Sequence, residues 1–448
     1  MRILKFGGTS VGTADAVRQV ERIVRDAGPG ALAVVSAFSG VTNALTRTIE
    51  LMRRGDTAGA LAELDRVEER HRAMIADLGL PAATACFTAD TIDRIRGLIP
   101  ALTALGDITP RAADTILATG ETLSSRIIAD HFTARGLDAA HLDAREVLVT
   151  DASFGAAQPD TAGIEAAVRG KLLPLLARYR AVVTGGYIGA TPQGVTTTLG
   201  RGGSDYSAAL LAAAAGADEC QIWTDVDGIM TCDPRIIPAA RTVPRLTYDE
   251  AAELAFFGAK VLHPLTIFPA VRKGIPVVIR NTFAPDRPGT RVVAQNGNDR
   301  RLKAIAFQRG ITVLHIRSNR MLGAYGFLAA VFDVFRGHRT PVDLVTTSEV
   351  SISVTIDDTA HLDAITADLA RLGEVSVEQG RAIVSLIGDG MRETAGIGAR
   401  FFNTLRAINV GMVSVGASEV NISIVIAEKD LESAVGLLHH EFFDGGSA

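Results

Sequence analysis

The sequence begins Met1 and continues Arg2-Ile3-Leu4-Lys5-Phe6-Gly7-Gly8-Thr9-Ser10, a stretch typical of one layer of an α/β domain. Arg2–Phe6 is a short apolar segment, the pair Gly7-Gly8 predicts a turn, and Ala14–Arg25 follows with apolar residues at helical spacing. Ala31–Ser36 then has the composition of a strand buried on both faces. Strand, turn, helix and buried strand in this order predict an α/β fold with a mainly parallel sheet.

This alternation continues to about residue 295, and we expect a first domain over residues 1–295. Residues 44–130 are rich in Ala, Leu, Arg and Glu, which favours helices. Further buried strands are predicted at Ala181–Thr184, Gln221–Thr224 and Ile275–Arg280, the last of them closing the sheet. Residues 284–301 are rich in Pro, Gly, Asn and Asp, and we expect a linker there.

The composition excludes several classes of protein. The 448 residues are 47% hydrophobic and 21% charged with a net charge of −5, so neither disorder nor bulk binding to nucleic acid is expected. No apolar run approaches the about 20 residues that a membrane span needs. The three cysteines lack disulfide or zinc-site spacing, and Met1 leads directly into the first strand without a signal-like pattern. We therefore expect a cytoplasmic protein that does not bind membranes.

Two glycine-containing turns carry residues suited to bind anions. After the first strand, the backbone N–H groups of Gly7-Gly8, the ammonium of Lys5 and the hydroxyls of Thr9 and Ser10 would suit a phosphate at the start of a helix. In Thr198–Tyr206 (TLGRGGSDY), three glycines precede an alanine-rich helix predicted over Ser207–Ala215, Arg201 offers a fork for a carboxylate, and Asp205 could orient a lysine. Either segment could be a purely structural turn, but together they favour a phosphoryl donor and an acidic acceptor.

A third candidate follows the predicted strand Gln221–Thr224. Asp225 and Asp227-Gly228 come directly after it, and such residues can line a nucleotide pocket at the carboxyl edge of a sheet, although Asp-Gly pairs are also common in turns. Lys260 could reach a nucleotide or could be a solvated lysine. The nine histidines show no zinc-binding spacing.

An internal repeat follows the first domain. Gly326–Ile356 aligns without gaps with Gly396–Ile426, 70 residues further on, with 11 of 31 positions identical. Each copy predicts a helix and two strands of a βαββαβ module. We expect the modules at residues 302–380 and 381–448, or interleaved, with 302–308 as a strand of the second module. A regulatory tail is the favoured interpretation, and two structural domains are the alternative.

Together these motifs resemble the aspartate kinases of the amino-acid kinase superfamily. The resemblance is carried by KFGGTSV (Lys5–Val11), the segments around Ser36, Thr42 and Glu121, TTTLGRGGSDYSA (Thr196–Ala208), IWTDVDGI (Ile222–Ile229), DPR (Asp233–Arg235) and FGAKVLHP (Phe257–Pro264). It covers essentially the whole chain, and the tail resembles a pair of ACT domains. The implied fold is an amino-acid kinase three-layer sandwich with a mainly parallel sheet, followed by two ferredoxin-like βαββαβ ACT domains.

The resemblance implies transfer of the γ-phosphoryl group of ATP to the side-chain carboxylate of L-aspartate, the first step of lysine, threonine and methionine biosynthesis. The implied catalytic residues are Lys5, Gly7, Gly8, Ser36 and Asp205. The implied substrate contacts are Thr42, Glu121 at the α-ammonium, Arg201 at the α-carboxylate, and Ser204. The implied nucleotide contacts are Thr224, Asp225, Met230 (Tyr in many relatives), Arg235 and Lys260. Mg²⁺ would be bound mainly through ATP, without a dedicated protein site.

The first repeat copy resembles the lysine-inhibited members of the family. The implied L-lysine site consists of Met321, Phe327, Leu328, Val342, Asp343, Thr347, Ser348 and Glu349. The second copy has Val413 at the position of Asp343, so we expect it to pack within a homodimer, or a tetramer, formed through the ACT domains. L-Threonine is the alternative effector.

Two other functions remain open. A kinase for another small carboxylate or carbamate is disfavoured by Glu121 and Arg201, which suit an amino acid with free α-groups. A catalytically silent amino-acid sensor is disfavoured by the presence of Lys5, Asp205 and Lys260.

Overall fold

The computed structural model describes residues 1–258, 264–295, 302–322 and 325–444. These residues form two units. The first contains the described residues of Met1–Ile229, Pro244–Tyr248 and Val261–Asn296, and the second contains the others. No helix of the described ranges is both long and apolar enough to cross a bilayer.

The first unit is built on a mostly parallel sheet. Its strands, with the β5–β6 hairpin outside the main sheet, are β1 (Arg2–Phe6), β2 (Ala31–Val35), β3 (Ala139–Leu142), β4 (Ala181–Gly185), β5 (Ile188–Ala190), β6 (Thr196–Thr198), β7 (Glu219–Thr224), β8 (Arg245–Thr247), β9 (Val277–Asn281) and β10 (Thr290–Val293). The main sheet has the order β3-β4-β2-β1-β7-β9-β10-β8, and only β9 and β10 pair antiparallel. β2 and β4 are buried along their whole length, as expected for small apolar residues between two helical layers.

Helices connect these strands. They are α1 (Ala14–Asp26), α2 (Val41–Arg53), α3 (Thr57–Leu78), α4 (Ala82–Leu105), α5 (Pro110–Leu117), α6 (Thr119–Ala134), α7 (Thr161–Ala167), α8 (Leu173–Arg178), α9 (Gly203–Ala215) and α11 (Pro264–Arg272), while α10 (Tyr248–Phe256), which precedes α11 in the sequence, belongs to the second unit from Asp249 onward. A 3₁₀ helix spans Ala144–Glu146, and a π-helical turn, Val168–Leu172, joins α7 to α8. The apolar stripe of α1, with Val17, Val20 and Val24 buried, packs into the core beneath the sheet.

The expectation that the segment near 275–280 closes the sheet is wrong. β10 and β8 continue the sheet beyond β9, and β10 lies inside the segment 284–301 that was expected to be a linker. Thr290–Val293 is β-branched at three of its four positions, so it can pair as a strand despite the turn residues around it. The end of that segment, 296–301, lies outside the described residues.

The second unit is built on an antiparallel sheet. Its strands are β11 (Leu302–Arg317), β12 (Val345–Thr347), β13 (Ser351–Ile356), β14 (Glu374–Gly388), β15 (Val410–Val415) and β16 (Asn421–Ala427), in the order β12-β13-β11-β14-β16-β15. Its helices are α12 (Phe327–Gly337), α13 (Leu362–Leu369), α14 (Ile397–Thr404) and α15 (Leu431–His439). Short 3₁₀ helices span Asn319–Met321 and Glu428–Asp430, and a π-helical turn spans His440–Asp444.

The long strand β11 serves both copies of the repeat. Its second half pairs with β13, while residues 302–308 pair with the end of β14, which in turn pairs with β16. Two separate apolar cores result, one containing Leu314 and the other Ile305. This pairing supports our proposal that the two βαββαβ modules are interleaved, with 302–308 completing the second.

Candidate active site

The candidate residues of the first unit lie where four parallel strands end. Gly185 of β4 pairs with Val35 of β2, Val35 pairs with Phe6 of β1, and Phe6 pairs with Trp223 of β7. The segments that follow these strands therefore leave the sheet at one edge. In α/β sheets this carboxyl edge is where ligands bind.

Lys5 and Asp205 form an ion pair at this edge. Lys5 Nζ lies 2.7 Å from Asp205 Oδ1, in the first turn of α9, and the two side chains are only 12% and 16% exposed. Gly7 leaves room beside the ammonium, since a Cβ there would lie 3.6 Å from Lys5 Nζ. Asp205 thus fixes the Lys5 ammonium at this edge, where Gly7 places no side chain beside it.

Gly8 and Ser36 belong to neighbouring segments of the same edge. A Cβ at Gly8 would lie 3.2 Å from the carbonyl oxygen of Ala37, so a side chain there would press against the segment after β2. Ser36 N–H donates to the Phe6 carbonyl at 3.1 Å, and the Ser36 carbonyl accepts from the Ser124 hydroxyl at 2.9 Å. Ser36 is therefore fixed beside the end of β1.

Two details expected of the first glycine turn are wrong. α1 begins only at Ala14, with the Thr13 hydroxyl capping it by accepting from Ala16 N–H at 3.2 Å, so Gly7-Gly8 does not open a helix. The Ser10 hydroxyl is fully buried, donates to the Trp223 carbonyl at 3.2 Å and also bonds to a threonine hydroxyl. The Ser10 hydroxyl therefore stabilises the turn and is not available to a phosphate.

Glu121 is a buried carboxylate with one oxygen unsatisfied. It lies in the first turn of α6 and is 3% exposed, and its Oε1 accepts from Ala37 N–H at 3.1 Å. Oε2 has no hydrogen-bond partner among the described residues. Burial raises the pKa of Glu121 to about 8, although the Ala37 N–H and the Lys5 ammonium act to lower it. A ligand that donates hydrogen bonds or carries positive charge would satisfy such a carboxylate.

Thr42 lies in the segment of α2 that packs near the start of α6. It is in the first turn of α2, and a Cβ at Gly120 would lie 3.3 Å from Val41 Cγ1 and 2.8 Å from Ala37 Cβ. Gly120 thus allows the starts of α2 and α6 to approach closely, which brings Thr42 towards the same edge.

Arg201 projects from a strained turn. Gly200 and Gly202 on either side have φ of +75° and +69°, which favours glycine, and α9 begins at Gly203 without a side-chain cap. Arg201 is exposed and forms no ion pair with any residue the structure describes. Ser204 follows in the first turn of α9, where a Cβ at Gly186 would lie 2.7 Å from Ser204 Cα.

The residues expected at the nucleotide are distributed over both units. Thr224 ends β7 and its hydroxyl donates to Asp225 Oδ1 at 3.1 Å. In the second unit, the Met230 sulfur accepts from a threonine hydroxyl at 3.5 Å, and Arg235 is held by Asp233, with Nη2 2.6 Å from Oδ2. Lys260 lies outside the described residues.

The expected effector residues belong to the second unit. Their places are Met321 at the end of a 3₁₀ helix, Phe327 and Leu328 at the start of α12, Val342 and Asp343 before β12, Thr347 at its end, and Ser348 and Glu349 in the turn to β13. Asp343 Oδ2 is buried without a hydrogen-bond partner among the described residues. Burial and the neighbouring carboxylate of Asp357 raise the pKa of Asp343 to about 7, although a hydrogen bond with the Thr355 side chain acts to lower it.

The start of α12 offers a complement to these carboxylates. Its N-cap residue Gly326 has φ of +81° and supplies no side-chain hydrogen bond. The N–H groups of the first turn are therefore available to a carboxylate, as at other helix N-termini.

Tyr187, which was not predicted from the sequence, has an unusual backbone at this site. Its φ is +65°, its N–H donates to the Ser207 hydroxyl at 2.9 Å, and its carbonyl accepts from Leu199 N–H at 2.9 Å. It thereby joins the segment after β4 to the Arg201 turn. The preceding glycines were the only local signal of a tight turn there.

Comparison with known proteins agrees with this architecture. The amino acid kinase family matches residues 1–281, and an ACT domain family matches residues 384–442. Lysine-sensitive aspartokinase 3 of Escherichia coli (strain K12) is 37% identical over 455 residues, covering 99% of both chains.

Two solved structures extend the comparison. E. coli aspartokinase III in complex with lysine and aspartate superimposes with a TM-score of 0.86 at 36% identity, over 99% of this chain and 100% of that one. The same enzyme with aspartate and ADP gives a TM-score of 0.83, also at 36% identity and with the same coverage. The predicted fold class and the prediction of a kinase are confirmed. The chain belongs to the amino acid kinase family and, within it, to the aspartokinases.

Proposed function

We propose that this chain transfers the γ-phosphoryl group of ATP to the side-chain carboxylate of L-aspartate. The observation that carries this proposal is Glu121, a buried carboxylate whose free Oε2 belongs to the same edge as the Lys5–Asp205 pair. A kinase for a simple carboxylic acid would gain nothing from a second buried carboxyl group near its anionic substrates. An acceptor with an α-ammonium group would satisfy it.

Different residues of the chain then bind the amino acid and the phosphate groups of the nucleotide. Arg201 binds the α-carboxylate of aspartate, Glu121 binds its α-ammonium, and Thr42 and Ser204 add polar contacts. These contacts place the side-chain carboxylate near Lys5. Its oxygen attacks the γ-phosphorus, a P–O bond forms, the bond to the β-phosphate oxygen breaks, and ADP leaves. No general base is required, since the acceptor is already ionised at neutral pH.

Lys5 stabilises the charge of the transferring group. Phosphoryl transfer depends mainly on positioning and on neutralising the equatorial oxygens. Asp205 holds the Lys5 ammonium in place, while the N–H of Gly8 and the hydroxyl of Ser36 add dipoles at the same edge. Because Gly7 and Gly8 carry no side chains, the phosphates can approach the backbone closely.

ATP and Mg²⁺ are part of this proposal. The described residues contain no group of three or more His, Cys, Asp or Glu side chains arranged to hold a metal. In our proposal a Mg²⁺ ion takes most of its ligands from nucleotide phosphates and water, with Asp205 and Asp225 as carboxylates that could orient its water. Mg²⁺ would neutralise phosphate charge. Thr224, Asp225, Met230, Arg235 and Lys260 remain our proposed nucleotide contacts.

L-Lysine is the proposed feedback inhibitor. The aspartokinase III structure that contains lysine supports this choice by similarity. In this chain, Asp343 and Glu349 would bind the side-chain ammonium, the start of α12 would bind the α-carboxylate, and Met321, Phe327, Leu328, Val342, Thr347 and Ser348 would surround the ligand. Lysine inhibits if it binds a less active conformation more tightly.

Replacing Asp343 with asparagine should raise the lysine concentration for half-inhibition by about tenfold or more, because a charge-assisted contact is lost. In the unchanged protein that concentration should fall by up to about tenfold from pH 6 to pH 8, as a carboxyl with a pKa of about 7 ionises. Asp343→Asn should abolish this pH dependence. Initial rates with and without lysine at several pH values measure both effects.

Asp358→Asn is the matched control. Asp358 lies close to Asp357 in sequence and is exposed, with Oδ1 accepting from Ala360 N–H at 2.9 Å, so the change in charge is the same. Its inhibition curve should not change. Wild-type sensitivity in Asp343→Asn would remove Asp343 from the effector site.

Assembly and location complete the proposal. Exposed apolar side chains lie on α12 and β15 of the second unit, among them Leu328, Phe332, Val413 and Val415. Such surfaces favour a homodimer through the ACT domains, or a tetramer built from it. Light scattering coupled to size exclusion measures this mass. The three cysteines are free thiols, which agrees with a reducing cytoplasm.

The experiment that tests the proposed activity is hydroxamate formation from L-aspartate and MgATP, with and without L-lysine. Product that lysine suppresses is the expected result. Product that ignores lysine would keep the kinase and direct the search to L-threonine. Folded protein that forms no product from aspartate would contradict the proposed reaction, and lysine binding without MgATP binding would indicate a silent sensor.

A further inference from the structure

Asp114 is a buried carboxylate that connects two segments distant in sequence. It lies on α5 and is 1% exposed. Its Oδ2 accepts from Gly155 N–H at 3.0 Å and from Thr198 N–H at 2.9 Å, while its Oδ1 accepts from the Thr198 hydroxyl at 2.8 Å. No Lys, Arg or His among the described residues pairs with it. A buried charge compensated only by N–H and O–H dipoles is costly, so its presence suggests a specific role.

Both segments that Asp114 holds lie against the Arg201 turn. Thr198 is the last residue of β6 and stands three residues before Arg201. The carbonyl oxygen of Gly155 lies 3.2 Å from the point that a Cβ of Gly200 would occupy. Gly200 has a positive φ, so the direction in which the turn leaves β6 depends on this packing. Asp114 therefore fixes the backbone from which the arginine projects.

We propose that Asp114 is the positioning residue of the Arg201 turn and so determines how well the enzyme holds its amino-acid acceptor. The inference rests on the proposed function, in which Arg201 binds the α-carboxylate of aspartate. Asp114 does not touch the substrate. It acts through the turn, since an exposed arginine that forms no ion pair with a described residue relies on its backbone for its position. A displacement of about 1 Å at such a contact can cost about 10²-fold in rate.

The test is a double-mutant cycle between Asp114→Ala and Arg201→Ala. Asp114→Ala should lower kcat/KM for L-aspartate by about 10²-fold, mainly through KM, and leave KM for MgATP within about threefold. In the Arg201→Ala background the same change should cost less than about threefold, because the contact it positions is already lost.

Two milder variants keep the test informative if Asp114→Ala folds poorly. In Asp114→Asn the amide oxygen can accept both backbone N–H groups and the Thr198 hydroxyl can accept from the amide nitrogen, so activity should be largely retained. Thr198→Val removes only the hydroxyl bond and should raise KM for aspartate by a smaller factor, again without effect in the Arg201→Ala background. Melting temperatures accompany each assay.

Asp130→Ala is the matched control. Asp130 is a carboxylate of α6 that accepts from the Thr84 hydroxyl at 2.7 Å and from Arg126 Nε at 3.0 Å, without a link to the Arg201 turn. Its loss should leave kcat/KM for aspartate unchanged even if the melting temperature falls. A similar loss of kcat/KM in both variants would mean that Asp114 acts only through stability, and the inference would be wrong.

The remaining outcomes separate this inference from the proposed function. If Asp114→Ala lowers kcat/KM for L-aspartate by the same factor in the presence of Arg201 and in the Arg201→Ala variant, the positioning role is wrong, while Arg201 stays at the substrate. If Arg201→Ala itself leaves kcat/KM for aspartate unchanged, the proposed role of Arg201 fails, and the inference fails with it.

Discussion

Replacing Lys5 with methionine should lower kcat by about 10³-fold, because the ammonium that stabilises the transferring phosphoryl group is removed. Lys5 Nζ is held 2.7 Å from Asp205 Oδ1 in a poorly exposed pair. The substitution leaves Asp205 without its cation, so the free energy of unfolding should also fall by about 3 kcal/mol. Steady-state hydroxamate assays and urea unfolding measure the two effects separately.

A double variant separates catalysis from stability. Lys5→Met combined with Asp205→Asn removes the uncompensated charge, so stability should recover while kcat stays low. Lys171→Met is the matched control, since Lys171 Nζ pairs with Glu146 Oε2 at 3.1 Å and both side chains are 50% exposed. That variant should remain fully active. Recovery of activity together with stability in the double variant would show that Lys5 is structural.

Replacing Glu121 with glutamine should make the protein more stable and less active. The folded-state pKa of about 8 lies above the ordinary value of 4.5, so the folded state favours the protonated form and loses stability as pH rises from 4.5 to 8. Glutamine avoids this cost and should stabilise the protein by on the order of 4 kcal/mol at pH 8.5, and little near pH 4.5. A neutral amide lacks the charge attraction to the α-ammonium, so kcat/KM for L-aspartate should fall by about 10²-fold.

The pH profile supplies a second measurement of the same group. KM for aspartate in the unchanged protein should decrease as pH rises through 8 and Glu121 ionises, and this trend should disappear in Glu121→Gln. Glu21→Gln is the control, because Glu21 is also buried but is paired with Arg25 across a turn of α1. That change should destabilise the protein without affecting aspartate kinetics. Unchanged KM in Glu121→Gln would exclude Glu121 from substrate binding.

The central strands were predictable because of their composition. Arg2–Phe6 is observed as predicted, and Ala181–Thr184 differs from β4 by one residue, since short runs of small apolar residues between turns are typical of buried parallel strands. β8 and β10 were missed because strands of only three or four residues that contain Arg and Thr carry little pattern. α9 begins at Gly203, four residues before the predicted start at Ser207. Gly202, in the left-handed region, precedes the helix, and the low helix propensity of glycine had argued against a start there.

The identities of the site residues could be predicted from the sequence, but the contacts between them could not. The motifs indicated Lys5, Glu121 and Arg201, each within a recognisable local segment. The contact between Glu121 and Ala37 joins positions 84 residues apart, and so does that between Asp114 and Thr198. The sequence offers no local signal for either contact, nor for the unsatisfied oxygen of Glu121. Ser10 was expected to bind phosphate, but its buried hydroxyl donates to the Trp223 carbonyl instead.

The most direct test of the central claim compares three acceptors in the hydroxamate assay with MgATP. L-Aspartate has both α-groups, succinate lacks the ammonium, and β-alanine lacks the α-carboxylate. If Glu121 and Arg201 recognise these groups, kcat/KM for succinate and for β-alanine should each be lower than for L-aspartate by about 10²-fold or more. Comparable values for all three acceptors would contradict the account, because neither residue would then contribute to recognising the substrate.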